Sequence, residues 1–190
     1  MTLKVMLVDN ETVRSAMLSQ ALTDGGYDVI ARVKPGPDLL ARVAQYLPDM
    51  VVVDTDSPDR DILESMHLLN EHNPLPVVMF ADEDNEVIIQ EAIRSGVSGY
   101  IVKGVDMDRV NSIMNVSIAR FREYQAVRDE LRETKSALND NRLIDKAKRL
   151  LIENKGVTEG QAYEAMRKLS MDSNQKMSDV AQSIVSVYEL

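Results

Sequence analysis

Over roughly the first 115 residues, short apolar runs alternate with segments in which apolar residues recur every three or four positions. The apolar runs lie at 4–8, 28–33, 50–53, 76–80 and 99–102. The run MVVV at 50–53 contains no polar residue, as expected for a parallel strand that is buried on both faces. Helical segments between the runs end at signals such as Gly25-Gly26 and Pro48. This alternation predicts a doubly wound α/β fold around a five-stranded parallel sheet.

The middle of the chain has the pattern of a long helix, since no proline occurs from Asp106 to Glu153. Six positions there recur at alternating steps of three and four residues: Tyr124, Val127, Leu131, Thr134, Leu138 and Asn141. Such a heptad-like seam favours a parallel coiled-coil homodimer, in which the polar positions weaken pairing but fix its register. The alternative is a single amphipathic helix that packs on its own protomer.

The last fifty residues contain three shorter amphipathic segments. Their apolar positions are Ile144, Ala147, Leu150 and Leu151, then Ala162, Met166 and Leu169, then Val180, Ile184 and Val187. Gly156 ends the first segment, Thr158 with Gln161 forms a capping box for the second, and Ser173 is expected to cap the third. Each helix is about three turns long, so the three must pack on one another. The predicted domains are 1–120, a linker helix at 121–141, and an all-α module at 142–190.

Composition and charge limit the possible functions. The chain has 190 residues, 44% of them hydrophobic, and no cysteine, which excludes disulfides and thiol catalysis. No apolar run approaches the ~18 residues that cross a bilayer, and we expect a cytoplasmic protein without a membrane partner. Residues 1–120 hold the whole net charge of −9, whereas 142–168 carry +3. This asymmetry is expected when only the tail contacts phosphate.

Residues that could carry chemistry follow the predicted strands, where ligands of doubly wound sheets bind. They are Asp9, Asn10 and Glu11 after the first strand, Asp54 after the third, Ala81 after the fourth and Lys103 after the fifth. Carboxylates from two strand ends can hold Mg²⁺, and an exposed aspartate can accept a phosphoryl group. A lysine beside them can pair with a phosphoryl oxygen.

This set of residues resembles the receiver domain of bacterial response regulators. The resemblance implies that Asp54 is the phosphoacceptor and that Asp9 and Asp54 bind the metal. It also implies that Lys103 takes the place of the family's invariant lysine and Tyr100 that of its switch aromatic. The chain departs from the family at Asn10, usually acidic, at Ala81, usually Ser or Thr, and at Gly104, usually Pro. Three readings follow: a receiver that no longer signals by phosphorylation, a weakened phosphoswitch, or a pocket for another ligand.

The tail resembles the ANTAR domain, a three-helix RNA-binding output module of bacterial antiterminators. The resemblance rests on AKRLL from Ala147, the Ala162-Tyr163 pair, RKLSM from Arg167 and VAQSIV from Val180. The family usually has Gly at the place of Arg149 and often Ala at that of Ser170. RNA loops offer bases that stack on aromatic rings and phosphates that pair with cations. Candidate phosphate contacts are Lys148, Arg149, Arg167 and Lys176, and candidate base contacts are Ser170, Asn174 and Gln175. Tyr163 either stacks on a base or packs between helices, and the basic side chains could instead be ordinary solvated helix faces.

Receiver, coiled coil and ANTAR module in this order resemble the AmiR/NasT-type antiterminators. The segment from Val78 to Gly104 and the acidic stretch DTDSPDRD from Asp54 resemble the NasT-like branch, which controls nitrate and nitrite assimilation genes. The resemblance implies binding to tandem leader-RNA hairpins, which lets RNA polymerase continue, and sequestration by a sensor protein until its small ligand arrives. No cofactor is then required, and Mg²⁺ is the only one implied.

Two other functions compete with this reading. A phosphorylation-controlled regulator with RNA or DNA output is the first, although the third tail segment has Lys176 as its only cation for a major groove. A protein–protein adaptor is the second, since residues 121–190 have no net charge. Beyond a phosphoaspartate, no catalytic set of residues is present, and we do not expect an enzyme.

Overall fold

The computed structural model describes residues 2–9, 12–102 and 109–188, apart from the side chains of 12–15. The chain divides into two compact units, Met1–Gln125 and Ala126–Leu190. Within the described ranges, no helix is both long enough and apolar enough to span a membrane. Asn10, Glu11, Lys103 and Gly104, which the sequence analysis singled out, lie outside the described residues.

The first unit is built on five parallel strands. They are β1 (Lys4–Asp9), β2 (Asp28–Val33), β3 (Met50–Thr55), β4 (Val77–Ala81) and β5 (Gly99–Val102). Between them lie α1 (Thr12–Asp24), α2 (Leu39–Tyr46), α3 (Arg60–His72) and α4 (Glu86–Arg94). The sheet order is β2-β1-β3-β4-β5, and every neighbouring pair is parallel. The predicted fold class is confirmed.

The central strands are buried on both faces because each face of the sheet has its own apolar cluster. Along β3, Val51 and Val53 belong to one cluster, whereas Met50 and Val52 belong to the other. Successive side chains of a strand point to opposite faces, so a strand covered on both sides must be apolar at every position. This is why the run MVVV identified the centre of the sheet.

The helix α5 (Val110–Lys155) is continuous over 46 residues. The first unit buries its beginning at Val110, Met114 and Ile118. The predicted domain boundaries after residues 120 and 141 both fall inside this helix. The prediction that the first tail segment is a separate helix of about three turns is therefore wrong, since that segment forms the last turns of α5. No Gly or Pro occurs between Val110 and Lys155 to end the helix earlier.

The second unit packs the end of α5 against α6 (Glu159–Ser173) and α7 (Met177–Tyr188). Its buried core is Ala147, Met166, Val180, Ala181 and Val185. The predicted end of the first segment is confirmed, because α5 stops just before Gly156, whose φ of 64° suits glycine. The capping box of Thr158 and Gln161 is also confirmed.

The predicted cap at Ser173 is wrong. Ser173 is the last residue of α6, and its hydroxyl donates to the Leu169 carbonyl at 2.6 Å. The chain leaves α6 one residue later, at Asn174, whose left-handed φ of 53° is a conformation that asparagine tolerates at a helix end. The Lys176 carbonyl then accepts the first amides of α7, from Asp179 and Val180.

Candidate functional site

Two carboxylates meet where β1 and β3 end. Asp9 is the last residue of β1, and its Cα pairs in register with that of Asp54 on β3. Both residues are buried, and only 3% of Asp54 is exposed, so the expectation of an exposed aspartate at this strand end is wrong. The register therefore brings the predicted phosphoacceptor and the predicted metal ligand to neighbouring positions at one edge of the sheet.

The chemistry of this pair suits a hard cation, because Mg²⁺ prefers carboxylate oxygens to nitrogen or sulfur ligands. Asp9 and Asp54 are the described residues that would hold it. The described residues contain no cluster of three or more His, Cys, Asp or Glu side chains able to bind a metal. The pair would therefore supply only part of a Mg²⁺ shell, and water commonly completes such a shell.

Ala81 and Tyr100 occupy the positions of the receiver family's Ser or Thr and of its switch aromatic. Ala81 ends β4, is fully buried, and pairs with Thr55 and Val102 on the flanking strands. Its methyl group cannot donate a hydrogen bond to a phosphoryl group. The Tyr100 hydroxyl instead donates to the backbone carbonyl of Glu83 at 2.9 Å.

This hydrogen bond fixes Tyr100 to the loop after β4. The same loop contacts the loop after β3, because the amides of Asp82 and Glu83 both donate to the Asp56 carbonyl. Burial raises the pKa of Tyr100, and the charges of Glu83 and Asp84 raise it further. Both effects favour the protonated hydroxyl, which is the form that donates this hydrogen bond.

In the second unit, several RNA candidates share one face of α6. Tyr163, Arg167 and Ser170 follow one another at steps of four and three residues, which places them on one side of the helix. Tyr163 is 43% exposed, so its ring is neither enclosed nor fully free. Arg167 is exposed, and its guanidinium lies 3.5 Å from the Glu164 carboxylate. Such an ion pair at the surface contributes little stability. This face combines an accessible ring with a cation one turn away.

Lys148 has a different environment from the other cationic candidates. Only 17% of its side chain is exposed, and its ammonium lies 2.8 Å from Asp145 and 2.9 Å from Glu159. Hydrogen bonds to these carboxylates raise the pKa of Lys148, and the Lys148 ammonium lowers the pKa of Asp145. Lys148 therefore links α5 to the start of α6, whereas the next residue, Arg149, is exposed.

The remaining candidates lie at the turn between α6 and α7. The Ser170 hydroxyl donates to the Gln175 carbonyl at 2.7 Å, so it stabilises the turn. Asn174, Gln175 and Lys176 are exposed there. The structure thus brings Tyr163, Arg167 and the turn residues to α6 and its end, and gives Ser170 and Lys148 partners within the protein.

The sequence analysis missed the partners of Lys148 and Tyr100. Asp145 could have been found from its position three residues before Lys148 on a helix. Glu159 belongs to the next helix, and the Glu83 acceptor is a backbone carbonyl, so neither has a signal in the sequence.

Large apolar side chains of the predicted seam are exposed on α5. Leu131 is 52% exposed and Val127 is 56% exposed, and Tyr124 and Leu138 are similar. Among the described residues, these apolar side chains of the seam therefore keep about half of their surface in contact with solvent.

Comparisons with known proteins agree with the division of the chain into two units. The family model of the response regulator receiver domain matches residues 5–115, and that of the ANTAR domain matches 132–185. The transcriptional regulatory protein PdtaR of Mycobacterium tuberculosis is 23% identical over 182 residues, which cover 96% of this chain and 89% of PdtaR.

Two further similarities are more local. The nitrate regulatory protein of Klebsiella oxytoca is 40% identical over 68 residues, which are 36% of this chain and 17% of that protein. A response regulator from Thermotoga maritima superposes with a TM-score of 0.56 at 21% identity, covering 63% of this chain and 99% of the other. The structural match reports a shared receiver fold.

Proposed function

This chain belongs to the response regulator receiver family and carries an ANTAR domain, and we propose that it is an RNA-binding transcription antitermination regulator. Its second unit binds tandem hairpins in a leader RNA and stabilises an antiterminator over a terminator. RNA polymerase, which it affects only through the RNA, then continues into the downstream genes.

The observation that carries this proposal is the exposed face of α6. Tyr163 offers an accessible ring, and Arg167 offers a cation one turn further along the helix. Proteins bind RNA loops by stacking unpaired bases on aromatic rings and by hydrogen bonds to base edges, while cationic side chains pair with the phosphates. Arg149, Asn174, Gln175 and Lys176 extend the proposed contact with exposed polar side chains, whereas Lys148 and Ser170 hold the helices that present it.

Two such faces act together in a homodimer. The exposed seam of α5 supports pairing of two chains as a parallel coiled coil, which brings two ANTAR modules to one RNA. Two linked modules gain affinity because the second binding event becomes intramolecular. A leader with two hairpins matches this arrangement.

Control by a protein partner fits the receiver better than control by phosphorylation. Ala81 has no hydroxyl for a phosphoryl group, and Tyr100 is already bonded to the Glu83 carbonyl. We propose that a sensor protein sequesters the regulator until the sensor binds its small ligand. The similarity to a nitrate regulatory protein and to the NasT-like branch supports nitrate and nitrite assimilation genes as the target.

A phosphorylation-dependent regulator with the same RNA output is the second candidate. The observation in its favour is the in-register pair Asp9 and Asp54, which keeps the carboxylates that Mg²⁺ and a phosphoryl group need. In this case Mg²⁺ bound by the pair would neutralise charge on the incoming phosphoryl group.

Binding of the purified full-length chain to a two-hairpin leader RNA tests the proposal. Duplex DNA of matched length is the control, and both are titrated at 50 mM and 200 mM salt, with and without acetyl phosphate. We expect the chain to bind the RNA but not the DNA, with an affinity that falls as the salt concentration rises and that does not depend on acetyl phosphate. Binding only after addition of acetyl phosphate would establish the second candidate. Equal affinity for DNA, or no affinity for RNA under either condition, would contradict RNA recognition.

A further inference from the structure

A second concave surface lies on the first unit, where the segments that follow β2 and β3 lead into α2 and α3. It is a groove of about 460 Å³ between α2, α3 and the loop that precedes α2. Its apolar lining consists of Pro35, Pro37, Leu40, Ile62 and Leu68. Leu40 and Leu68 are only partly buried, so aliphatic surface remains accessible in the groove.

The polar lining of this α2–α3 groove is acidic. Asp59, Asp61 and Glu64 line it together with Ser65, and no Lys, Arg or His is among its lining residues. Arg60 lines a neighbouring groove, which α3 forms with α4 and which shares Glu64 with the α2–α3 groove. Arg42 on α2 is paired with Asp38 at 2.9 Å. The acidic charge in the groove is therefore not neutralised by a lining cation.

Helix capping and the helix dipole account for two of the three carboxylates. Asp59 caps α3 by accepting the Ile62 amide at 2.8 Å, and Asp61 lies in the first turn, where the helix dipole favours an anion. The dipole effect fades after the first turn, and Glu64 is exposed, with no ion pair within the described residues. Neither capping nor the dipole accounts for an acidic side chain at Glu64 beside accessible aliphatic surface.

We propose that the α2–α3 groove docks a basic, amphipathic segment of a partner protein. Arginine and lysine carry aliphatic stems that pack on apolar surface while their charged heads remain outside. In the groove, such stems would lie on Leu40 and Leu68, and the cationic heads would meet Asp61 and Glu64. Nucleic acid is excluded as the occupant because its phosphates would be repelled by the three carboxylates. This inference does not depend on RNA binding by the second unit.

The test uses displayed random dodecapeptides as the probe. Peptides are selected on the immobilised full-length chain, and each is then assayed on two variants that change the same residue type by the same charge. Glu64 lines both grooves, so Glu64→Lys alters the α2–α3 groove and the neighbouring α3–α4 groove, whereas Glu91→Lys alters the α3–α4 groove without changing the lining of the α2–α3 groove. A Glu64→Gln variant separates loss of the anion from repulsion by the new cation.

We expect selected peptides to combine Arg or Lys with Leu or Ile, and to bind Glu91→Lys like the original chain. Glu64→Lys should weaken them at least about 10-fold and Glu64→Gln by less, because repulsion is added to the lost attraction only in the first variant. A synthetic copy of one peptide should shift the NMR amide signals of Gly36, of residues 38–40 and of residues 59–68. RNA affinity should be equal in all variants.

Four results would overturn the assignment. Equal weakening by Glu64→Lys and Glu91→Lys would mean binding in the α3–α4 groove, which both residues line, or attraction to the net charge of the chain. Shifts confined to other residues, or selected peptides without basic and aliphatic side chains, would mean that the groove does not bind such a segment. Concentration-dependent self-association that Glu64→Lys abolishes would make a second copy of this chain the occupant.

Discussion

Shortening Leu131 tests whether α5 forms the dimer seam. Leu131 is near the middle of the stripe that begins at Tyr124, and it is 52% exposed in the single chain. In a parallel coiled coil, the exposed half of this side chain would pack against its counterpart on the partner helix. Leu131→Ala removes three carbon atoms from each helix and keeps a residue with high helix propensity, so the helix itself should persist.

The expected loss follows from the exposed fraction. A buried carbon contributes about 0.8 kcal/mol, so three carbons of which half the surface becomes buried contribute about 1.2 kcal/mol per copy. Two copies give about 2.4 kcal/mol for the dimer. Because about 1.4 kcal/mol corresponds to a factor of ten, the dimer dissociation constant should rise about 50-fold.

Sedimentation equilibrium over a range of protein concentrations measures this constant. Val127→Ala and Val116→Ala provide a matched pair, because both valines lie on α5 and are 56% and 58% exposed, but only Val127 belongs to the seam. We expect Val127→Ala to weaken the dimer about 20-fold, by the same reasoning, and Val116→Ala to leave it unchanged. A wild-type chain that is monomeric at all concentrations, or a dimer weakened by Val116→Ala alone, would refute the seam.

Three other predictions concern the two functional sites. Tyr163→Ala should weaken hairpin binding by about 5- to 150-fold, the range for one stacked base, while Tyr163→Phe should bind like wild type. Equal binding by the wild type and both variants would mean that the ring only packs between helices. Arg167→Ala should lower the slope of log affinity against log salt by about one. Lys168→Ala removes the same charge about 100° further around α6, outside the face of Tyr163 and Arg167, and should not lower the slope; equal slopes in the two variants would exclude a phosphate contact at Arg167. Ala81→Ser should increase phosphorylation of the chain by acetyl phosphate in the presence of Mg²⁺, measured by Phos-tag electrophoresis, and unchanged labelling would show that the missing hydroxyl does not limit phosphoryl transfer.

The strands and most helix ends were predictable because local sequence determines them. MVVV at 50–53 is typical of a strand covered on both faces, and Thr158 with Gln161 indicated a capping box within four residues. The error at Ser173 has the same local origin. Serine favours the start of a helix, but α6 continues through Ser173 and ends at Asn174, which adopts the left-handed conformation typical of a helix C-terminus.

The site was less predictable, since its decisive contacts join residues that are distant in sequence. A lysine in an amphipathic helix gives no sign that a carboxylate of the next helix, Glu159, will bind it, as happens at Lys148. Similarly, Ala81 revealed that a hydroxyl was missing, but not that the Glu83 carbonyl would accept the Tyr100 hydroxyl instead. The α2–α3 groove arises from packing of two helices and has no sequence motif.

Read-through in single-round transcription in vitro tests antitermination most directly. The template carries the proposed target, a leader with two hairpins and a terminator upstream of nitrate assimilation genes, and the only other protein is RNA polymerase. We predict that the full-length chain increases the fraction of full-length transcripts, that acetyl phosphate adds nothing, and that disrupting either hairpin abolishes the effect. An unchanged termination fraction at concentrations that saturate the RNA would contradict the proposed function.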